Sequence, residues 1–445
     1  MKSRGLLAAS VVLVIVSGAL WWSNRKEAKA AKPTTEVTST KLISTPEDQI
    51  QEIKIQKSGT DTIDLQKTAG KWQITAPSTL PADQEAVSSL LSNFSSANSE
   101  HVIEDHATSL EQYGLAQPSM KLTLVEANKK THDLLVGDAT PAGSAAYAQL
   151  AGDPRVVTIP SYVKSGFEKS VNDLRDKRLM VFETGRVSGI ELTAKKETMV
   201  FGRSMDDWQI LKPKPYRADR SLVDDLLRTL SDAKMELSAT DDEKRMAAAF
   251  AAGTPFADAK VTDVSGTKEL QIRKNKDDYY AKSSAVTGIY KVSNSMGNGL
   301  NKGLDDFRNK KLFDFGYTDP EKIEIHDGAK TVSLKHTGSD WTSGSTKMDA
   351  DSVSALLDKM RDLSATKFPE SGFGAPVIEL TATSDSGKRV EKVQLAKDKE
   401  NYVAKRENEP ALYEIAVSAV TDLQKAASDV KAAAPPPTTA TPPKK

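Results

Sequence analysis

The chain has 445 residues, contains no cysteine, and carries 61 basic and 61 acidic side chains, so its formal net charge is zero. The absence of cysteine excludes disulfides, thiolate metal sites and cysteine nucleophiles. Proteins that bind nucleic acid normally show a basic excess, so the balanced charge predicts no nucleic-acid partner.

The N-terminal end has the pattern of a membrane segment. Residues 5–22 are 18 consecutive residues without a charge, and they end in Trp21 and Trp22, which suit the level of the lipid head groups. This length is close to the roughly 20 residues that span a bilayer, so we predict an uncleaved anchor over residues 1–24 and a linker over 25–48. A cleaved signal peptide stays open as an alternative, because small residues follow the apolar run. The favoured topology is a single pass through the inner membrane with the body in the periplasm.

The rest of the chain repeats itself. Residues 307–315 (FRNKKLFDF) nearly copy residues 174–182 (LRDKRLMVF), and a tryptophan recurs at similar intervals, at Trp72, Trp208 and Trp341. A packing unit can be copied in this way, whereas a catalytic site is seldom needed twice. We therefore predict three tandem modules, over residues 49–183, 184–316 and 317–430, followed by a disordered Pro/Thr-rich tail over 431–445.

Each copy contains the same helix signal. An aspartate is followed four, seven and eight positions later by apolar residues, which share one face of a helix. The aspartate can accept hydrogen bonds from the free backbone N–H groups of the first turn. The three sets are Asp83 with Val87, Leu90 and Leu91; Asp219 with Val223, Leu226 and Leu227; and Asp349 with Val353, Leu356 and Leu357.

Alternating apolar residues predict strands around these helices. In the first copy we expect strands over 52–56, 61–66, 71–75, 120–126, 131–136, 147–150 and 156–159, with helices over 83–97 and 161–173. The later copies add strands over 258–264, 268–273, 279–282, 288–292, 376–383, 390–396, 401–405 and 411–415, with further helices over 241–252 and 416–430. This order favours an α+β fold in which each module is an antiparallel sheet with helices packed on one face.

One dense group of possible metal ligands lies on a predicted loop. It consists of Glu100, His101, Glu104, Asp105 and His106. A spacing of five does not place the two histidines on one helix face, and the other copies have no histidine there. Such residues on a loop are usually solvated, so we predict no metal site.

Other candidates for chemistry are weaker. His326 and His336 could face each other across a hairpin, but this gives two ligands at most. Adjacent carboxylates such as Asp206–Asp207, Asp224–Asp225 and Asp277–Asp278 point to opposite faces when they lie on a strand. The chain has no nucleophile elbow, phosphate-binding loop, zinc-protease motif or dinucleotide fingerprint. We name no catalytic, cofactor-binding or metal-binding residue and expect a protein that is not an enzyme.

The repeated basic element has two interpretations. Arg175, Asp176, Lys177 and Arg178 could pair with neighbouring modules or form a solvated helix end. Because the pattern recurs at Arg308 and Lys310–Lys311, we expect it to join successive modules.

Residues 113–182 resemble the bacterial domain of unknown function 4340 family. The resemblance rests on Tyr113-Gly114-Leu115 with Pro118, on the LLVGD turn at 134–138 and Tyr147, and on Arg175 to Leu179 with Phe182. The later copies are more degenerate, and the third ends without the basic element. The resemblance implies an N-terminally anchored extracytoplasmic protein, often found beside auxiliary components of ABC-type transport systems. It implies no catalytic residue.

These observations favour a non-catalytic, membrane-anchored scaffold or binding protein, with a transport or envelope assembly as its partner. A periplasmic ligand- or glycan-binding protein is the alternative, with a cleft between modules lined by Trp72, Trp208 or Trp341, although one tryptophan per copy at a strand position is more often part of a core.

Overall fold

The computed structural model describes residues 41–204, 207–238 and 242–434, and its strands form three antiparallel sheets. The chain divides into two compact units: Met1–Lys177 contains the first sheet, and Arg178–Lys445 contains the second and third. The predicted membrane segment lies outside the described residues. No helix in the described ranges has the length and apolar character needed to cross a bilayer.

All three sheets have the same strand order. Each consists of two meanders of four strands, joined by pairing of the first strand of one meander with the first strand of the other: β1 with β6, β10 with β14, and β18 with β22. The first sheet has a ninth strand, β5, at the edge beyond β9.

The strands of the first sheet are β1 (Ile50–Lys57), β2 (Ile63–Thr68), β3 (Lys71–Ala76), β4 (Leu80–Pro81), β5 (Val102–Glu104), β6 (Met120–Glu126), β7 (Thr131–Ala139), β8 (Ala145–Leu150) and β9 (Val156–Pro160). Those of the second are β10 (Gly189–Ala194), β11 (Glu197–Ser204), β12 (Asp207–Lys212), β13 (Tyr216–Arg217), β14 (Thr254–Asp263), β15 (Gly266–Asn275), β16 (Asp278–Ser283) and β17 (Ile289–Val292). Those of the third are β18 (Lys322–Asp327), β19 (Lys330–Thr337), β20 (Asp340–Ser343), β21 (Thr346–Lys347), β22 (Pro376–Ser384), β23 (Arg389–Asp398), β24 (Asn401–Arg406) and β25 (Leu412–Ile415).

The helices follow the repeat as well. They are α1 (Gln84–Ser96), α2 (Ser161–Phe167) and α3 (Val171–Leu174) with the first sheet; α4 (Arg220–Ser231), α5 (Glu243–Ala252), α6 (Asn294–Gly299) and α7 (Leu304–Phe307) with the second; and α8 (Ala350–Asp362) and α9 (Val417–Asp429) with the third. The tandem arrangement of antiparallel sheets with helices confirms the predicted α+β class.

The long helices α1, α4 and α8 begin as the sequence predicts. The side chains of Asp83, Asp219 and Asp349 each accept a hydrogen bond from a backbone N–H of the first turn. Such a cap contributes about 1 kcal/mol. The apolar residues four, seven and eight positions on are all buried and join one hydrophobic core per sheet.

The predicted helix over 161–173 is wrong in one respect, because it is two short helices, α2 and α3. Glu168 leaves the helical conformation at the end of α2. The Ser170 side chain then accepts from the Asp173 N–H, and the Asp173 carboxylate accepts from the Ser170 N–H. This reciprocal capping box starts a new helix. The short strands β4, β5, β13 and β21 are absent from the sequence prediction.

Two glycines of the first module allow a close approach of backbone segments. Gly114 has a φ of +65°, in the left-handed region. A Cβ on Gly137 would lie 2.1 Å from the carbonyl oxygen of Tyr113. Both positions therefore exclude a larger side chain.

The cores show where one module gives way to the next. Leu174 belongs to the first core and Leu179 to the second, while Phe307 belongs to the second core and Leu312 to the third. Each change falls a few residues before the predicted boundaries at 183 and 316.

Candidate functional site: the segments that connect the modules

Each module begins with a segment that pairs with the end of its long helix, and we name these the lead-in segments. The N–H of Leu42 donates to the carbonyl of Ala97, that of Leu179 to Ala233, and that of Leu312 to Leu363. The preceding basic residue forms a β-bridge in each case: Lys41 with Asn98, Arg178 with Lys234, and Lys311 with Ser364. The lead-in of the first module was not recognised from the sequence, although its Lys41-Leu42-Ile43 matches Arg178-Leu179-Met180 and Lys311-Leu312-Phe313.

Each module ends with a segment that pairs beside the aspartate of its long helix, and we name these the lead-out segments. The N–H of Asp83 donates to Leu174, that of Asp219 to Phe307, and that of Asp349 to Lys431. The neighbouring β-bridges join Ala82 to Arg175, Ala218 to Arg308, and Met348 to Ala432. Although the third copy lacks the basic element, residues 431–433 form the same backbone pairs. The predicted disordered tail, 431–445, is therefore paired at its start, and residues 435–445 lie outside the described residues.

One buried carboxylate in each module holds the lead-in segment. The carboxylates are Glu126, Asp263 and Glu391, which are the only buried acidic residues of the described chain. They accept from the Thr45 hydroxyl at 2.8 Å, from the Glu183 N–H at 3.1 Å and from the Asp314 N–H at 2.8 Å, respectively. A buried charge is costly unless it is paired or hydrogen-bonded, so the further partners of each carboxylate are informative.

In the first module Glu126 lies 2.6 Å from the Nε2 atom of His132 and also accepts from Asn128 at 3.0 Å. The hydrogen bond with His132, followed by that from Thr45, holds the pKa of Glu126 below its usual value.

In the second module Asp263 accepts only from neutral donors. The Ser265 hydroxyl donates at 2.6 Å and the Ser265 N–H at 2.8 Å. The Ser265 hydroxyl and the Glu183 N–H lower the pKa of Asp263.

In the third module the carboxylate pairs with arginine. Arg406 lies 3.3 Å from Glu391, 2.9 Å from Glu409 and 3.4 Å from Asp314. Arg406 also donates to the carbonyl of Leu312 at 2.6 Å. One side chain thus connects the lead-in backbone to three carboxylates.

The second and third modules meet at two arginines of the second module. Arg308, in the lead-out segment, is 6% exposed. Its guanidinium lies 4.1 Å from the ring centre of Tyr216, in the second module, and 3.6 Å from that of Phe368, in the third. Arginine between two aromatic faces in a desolvated setting gains about 2 kcal/mol or more. The residue that the sequence assigned to a joining role therefore performs it.

Arg217, on the edge strand β13, is the second of these arginines. It pairs with Asp314 at 2.5 Å and with Glu409 at 3.0 Å, and it donates to the Tyr413 hydroxyl at 3.3 Å. Burial by itself would lower the pKa of Arg217, but its interactions with Asp314, Tyr413 and Glu409 outweigh this effect and raise the pKa. Nothing in the sequence pointed to Arg217, because its acidic partners Asp314 and Glu409 lie 97 and 192 residues further along the chain.

The histidines were considered as possible metal ligands in the sequence analysis, which predicted no metal site. Among the described residues, no group of three or more His, Asp or Glu side chains is placed to hold a metal ion. The hypothesis that His326 and His336 face each other is wrong, because His326 is opposite Thr331 and His336 is opposite Trp341. The turn of this hairpin lies between Asp327 and Lys330, so the two histidines are not opposite each other on the paired strands.

The three tryptophans belong to the cores. Trp72, Trp208 and Trp341 are 7%, 3% and 6% exposed. The Trp208 Nε1–H donates to Asp224 at 3.1 Å, and the Trp341 ring stacks on His336 with ring centres 4.7 Å apart. Asp225, next to Asp224, pairs instead with Arg228 at 3.0 Å. These adjacent carboxylates thus have separate structural roles.

A cavity of about 420 Å³ lies in the third module between α9 and the sheet. Apolar side chains contribute to its lining, among them Ile325, Ile378 and Leu423, and Lys330 and Lys425 lie at its polar side. Its volume is within the range of small-molecule sites.

Comparison with known proteins matches two segments, residues 72–210 and 208–382, to one sequence family described as a domain of unknown function (DUF4340). Each match starts at the tryptophan of one module and extends into the next, so each contains a lead-out segment and the following lead-in segment. No curated protein and no solved structure matches the chain.

Proposed function

This chain belongs to the family of the domain of unknown function DUF4340, and we propose that it is a non-catalytic, membrane-anchored extracytoplasmic scaffold that serves an ABC-type transport or envelope assembly. The anchor is assigned to residues 5–22, with the body in the periplasm. The partner is assigned to the membrane protein class.

The observation that carries this proposal is the junction between the second and third modules. Arg217 and Arg308 are largely removed from water and are satisfied by partners from the neighbouring module. Desolvating such charges costs several kcal/mol, which only well-placed partners offset. A junction of this kind fixes the geometry of two modules, as a scaffold requires, whereas a hinged enzyme needs a cleft that opens and closes.

Topology is tested with reporter fusions in a bacterial host. A periplasm-dependent phosphatase fused after residue 434 should be active, and a cytoplasm-dependent reporter at the same place should be inactive. The reverse pattern would exclude the periplasmic body. Edman sequencing of the purified full chain distinguishes the anchor from a cleaved signal, because cleavage would remove the first residues.

The scaffold role is tested by cross-linking in intact membranes, followed by affinity purification of the full chain. We expect defined membrane proteins to be recovered with the wild type and lost with Arg217→Ala, which loosens the junction. The matched control is Arg228→Ala, because Arg228 is an exposed arginine on α4 that pairs with Asp225 on the same helix. Recovery of the chain alone would contradict the proposal.

A ligand-binding protein is the second candidate, and the cavity under α9 is the observation that favours it. The buried tryptophans do not support the cleft between modules that the sequence suggested. Decanoate, an apolar chain with an anionic end, is a suitable probe in isothermal titration. Binding that is abolished by Ala427→Trp, which fills the cavity, and kept in Ala419→Trp, at the other end of α9, would support this candidate over the scaffold.

A further inference from the structure

The three modules share a segment that follows the long helix and runs beside the last strand. The N–H of Glu100 donates to Thr158, that of Glu236 to Lys291, and that of Thr366 to Glu414, each at 2.8 Å. These equivalent hydrogen bonds show which residues of the three modules correspond to one another. Two positions further on lie Val102 in the first module, Ser238 in the second and Phe368 in the third.

In the third module the residue at this position, Phe368, contacts the second module. Phe368 is only 9% exposed, because its ring packs against Tyr413 of its own module and the guanidinium of Arg308 lies 3.6 Å from its ring centre. The acceptors of Arg217 lie nearby, at Asp314 and Glu409. The third module thus offers an apolar centre with acidic neighbours, and the second module supplies the arginines.

In the first module the same position remains open. Val102 and Ile103 are 44% and 42% exposed and lie on β5. This edge strand has three residues, and its register with β9 shifts between Val102 and Glu104. Its two adjacent exposed aliphatic side chains can still pack against another chain that pairs with the edge. No described strand pairs with the outer side of β5, since the sheet order ends β8-β9-β5.

Acidic residues surround this pair. Glu100, Glu104 and Asp105 are neighbours of Val102 and Ile103 in the sequence, and Asp105 lies near enough to Arg155 to raise the pKa of that arginine, after the larger effect of Asp153. Glu100, Glu104 and Asp105 are three of the five possible metal ligands that the sequence analysis considered. The acidic border disfavours the anionic surface of a membrane as occupant, because like charges repel.

We infer that β5, with Val102 and Ile103 at its centre and Glu100, Glu104 and Asp105 at its border, is a docking edge for an arginine-bearing extended segment of a protein partner. The partner segment adds to the sheet as a tenth strand, so that main-chain hydrogen bonds hold it and side chains give specificity. Its apolar side chains cover Val102 and Ile103, and its arginines meet the acidic border, as Arg217 and Arg308 meet the third module. This inference rests on the proposed scaffold function, to which it adds the surface and the chemistry of the partner.

The test uses the full chain in detergent and a fluorescent peptide of alternating arginine and valine, Arg-Val-Arg-Val-Arg, as probe. Anisotropy should show saturable binding, which weakens as salt is raised. The peptide Glu-Val-Glu-Val-Glu should not bind. Val102→Asp should weaken binding about tenfold, and Glu100→Lys with Asp105→Lys should weaken it by at least as much.

Val264→Asp is the matched control, because Val264 is an exposed valine in the turn between β14 and β15. It should leave the affinity unchanged, and thermal unfolding should show that both aspartate variants are folded. Equal affinity of wild type, Val102→Asp and Val264→Asp, or no saturable binding to the wild type, would overturn the inference.

Purification from cross-linked membranes separates this inference from the scaffold proposal. If Val102→Asp recovers the same partners as the wild type, the docking edge is wrong while the scaffold stands. If the basic peptide binds as expected but no membrane protein is recovered with the wild type, the scaffold is wrong while the edge stands.

Discussion

The first and third modules both hold their lead-in segments with a buried carboxylate, but Glu126 ends β6 whereas Glu391 lies near the start of β23, and their partners differ. In the first, Glu126 is matched by a histidine and by neutral donors. In the third, Glu391 is matched by Arg406, which also binds the lead-in backbone. The third module has three carboxylates close together, those of Glu391, Asp314 and Glu409. Their negative charge is offset by Arg406 and by Arg217 of the second module. Each module thus has a buried carboxylate beside its lead-in segment, but the first and third modules place it on different strands and match it with different partners.

The largest effect should come from Arg406. Replacing it by alanine leaves Glu391 buried without its main cation and removes the contact to Leu312, so the free energy of unfolding should fall by about 3–5 kcal/mol. Arg389→Ala is the control, because Arg389 touches the same carboxylate at 3.4 Å but is more exposed. Chemical denaturation measures both. A similar, small loss in the two variants would show that the third module does not depend on this arginine.

Arg308 should have the next largest effect. Arg308→Ala removes a guanidinium held between Tyr216 and Phe368, with an expected loss of about 2 kcal/mol. Arg308→Lys keeps the charge but not the planar group, so it should recover only part of this loss. Hydrogen exchange at Leu312–Phe315 should rise in the alanine variant. Unchanged hydrogen exchange at these residues would show that Arg308 does not stabilise the junction.

Asp263 should have a smaller effect, because the groups that donate hydrogen bonds to it are neutral. Asp263→Asn should lower the unfolding temperature less than Glu391→Gln, since no cation in contact with the carboxylate loses its partner. Differential scanning calorimetry of both variants decides this. A larger decrease in unfolding temperature for Asp263→Asn than for Glu391→Gln would show that the second module depends more on its buried carboxylate than the third does.

The most subtle difference is in pH dependence. The pKa of Glu126 is lowered in the folded protein from its usual 4.5. Its stabilising contribution is therefore complete above the unfolded pKa and is lost as the pH falls through the folded one. Hydrogen exchange of Leu42–Thr45 should accelerate at acid pH in the wild type. In Glu126→Gln it should be faster at neutral pH and change less with acidification. Identical pH profiles would mean that Glu126 does not control the first lead-in.

Local features of this fold were predictable from the sequence, whereas its connecting contacts were not. Asp83, Asp219 and Asp349 cap helices within three residues of themselves, so the pattern contains the information. The break at Ser170 was also visible in principle, because Ser170 and Asp173 have capping-box spacing. The buried carboxylates accept from residues 77 to 81 positions away. A single sequence shows no pattern for such pairs, and a buried glutamate looks like any surface glutamate.

The short connection between the second and third sheets has a mechanical consequence. Arg308 forms a β-bridge with Ala218, and Lys311 forms one with Ser364. Three residue steps separate these bridges, and a fully stretched chain of that length reaches only about 10 Å. A force applied to this part of the chain therefore cannot extend the connection further and acts directly on the two β-bridges. Stretching the molecule between these two sheets should give a stiff response up to the force that breaks the bridges.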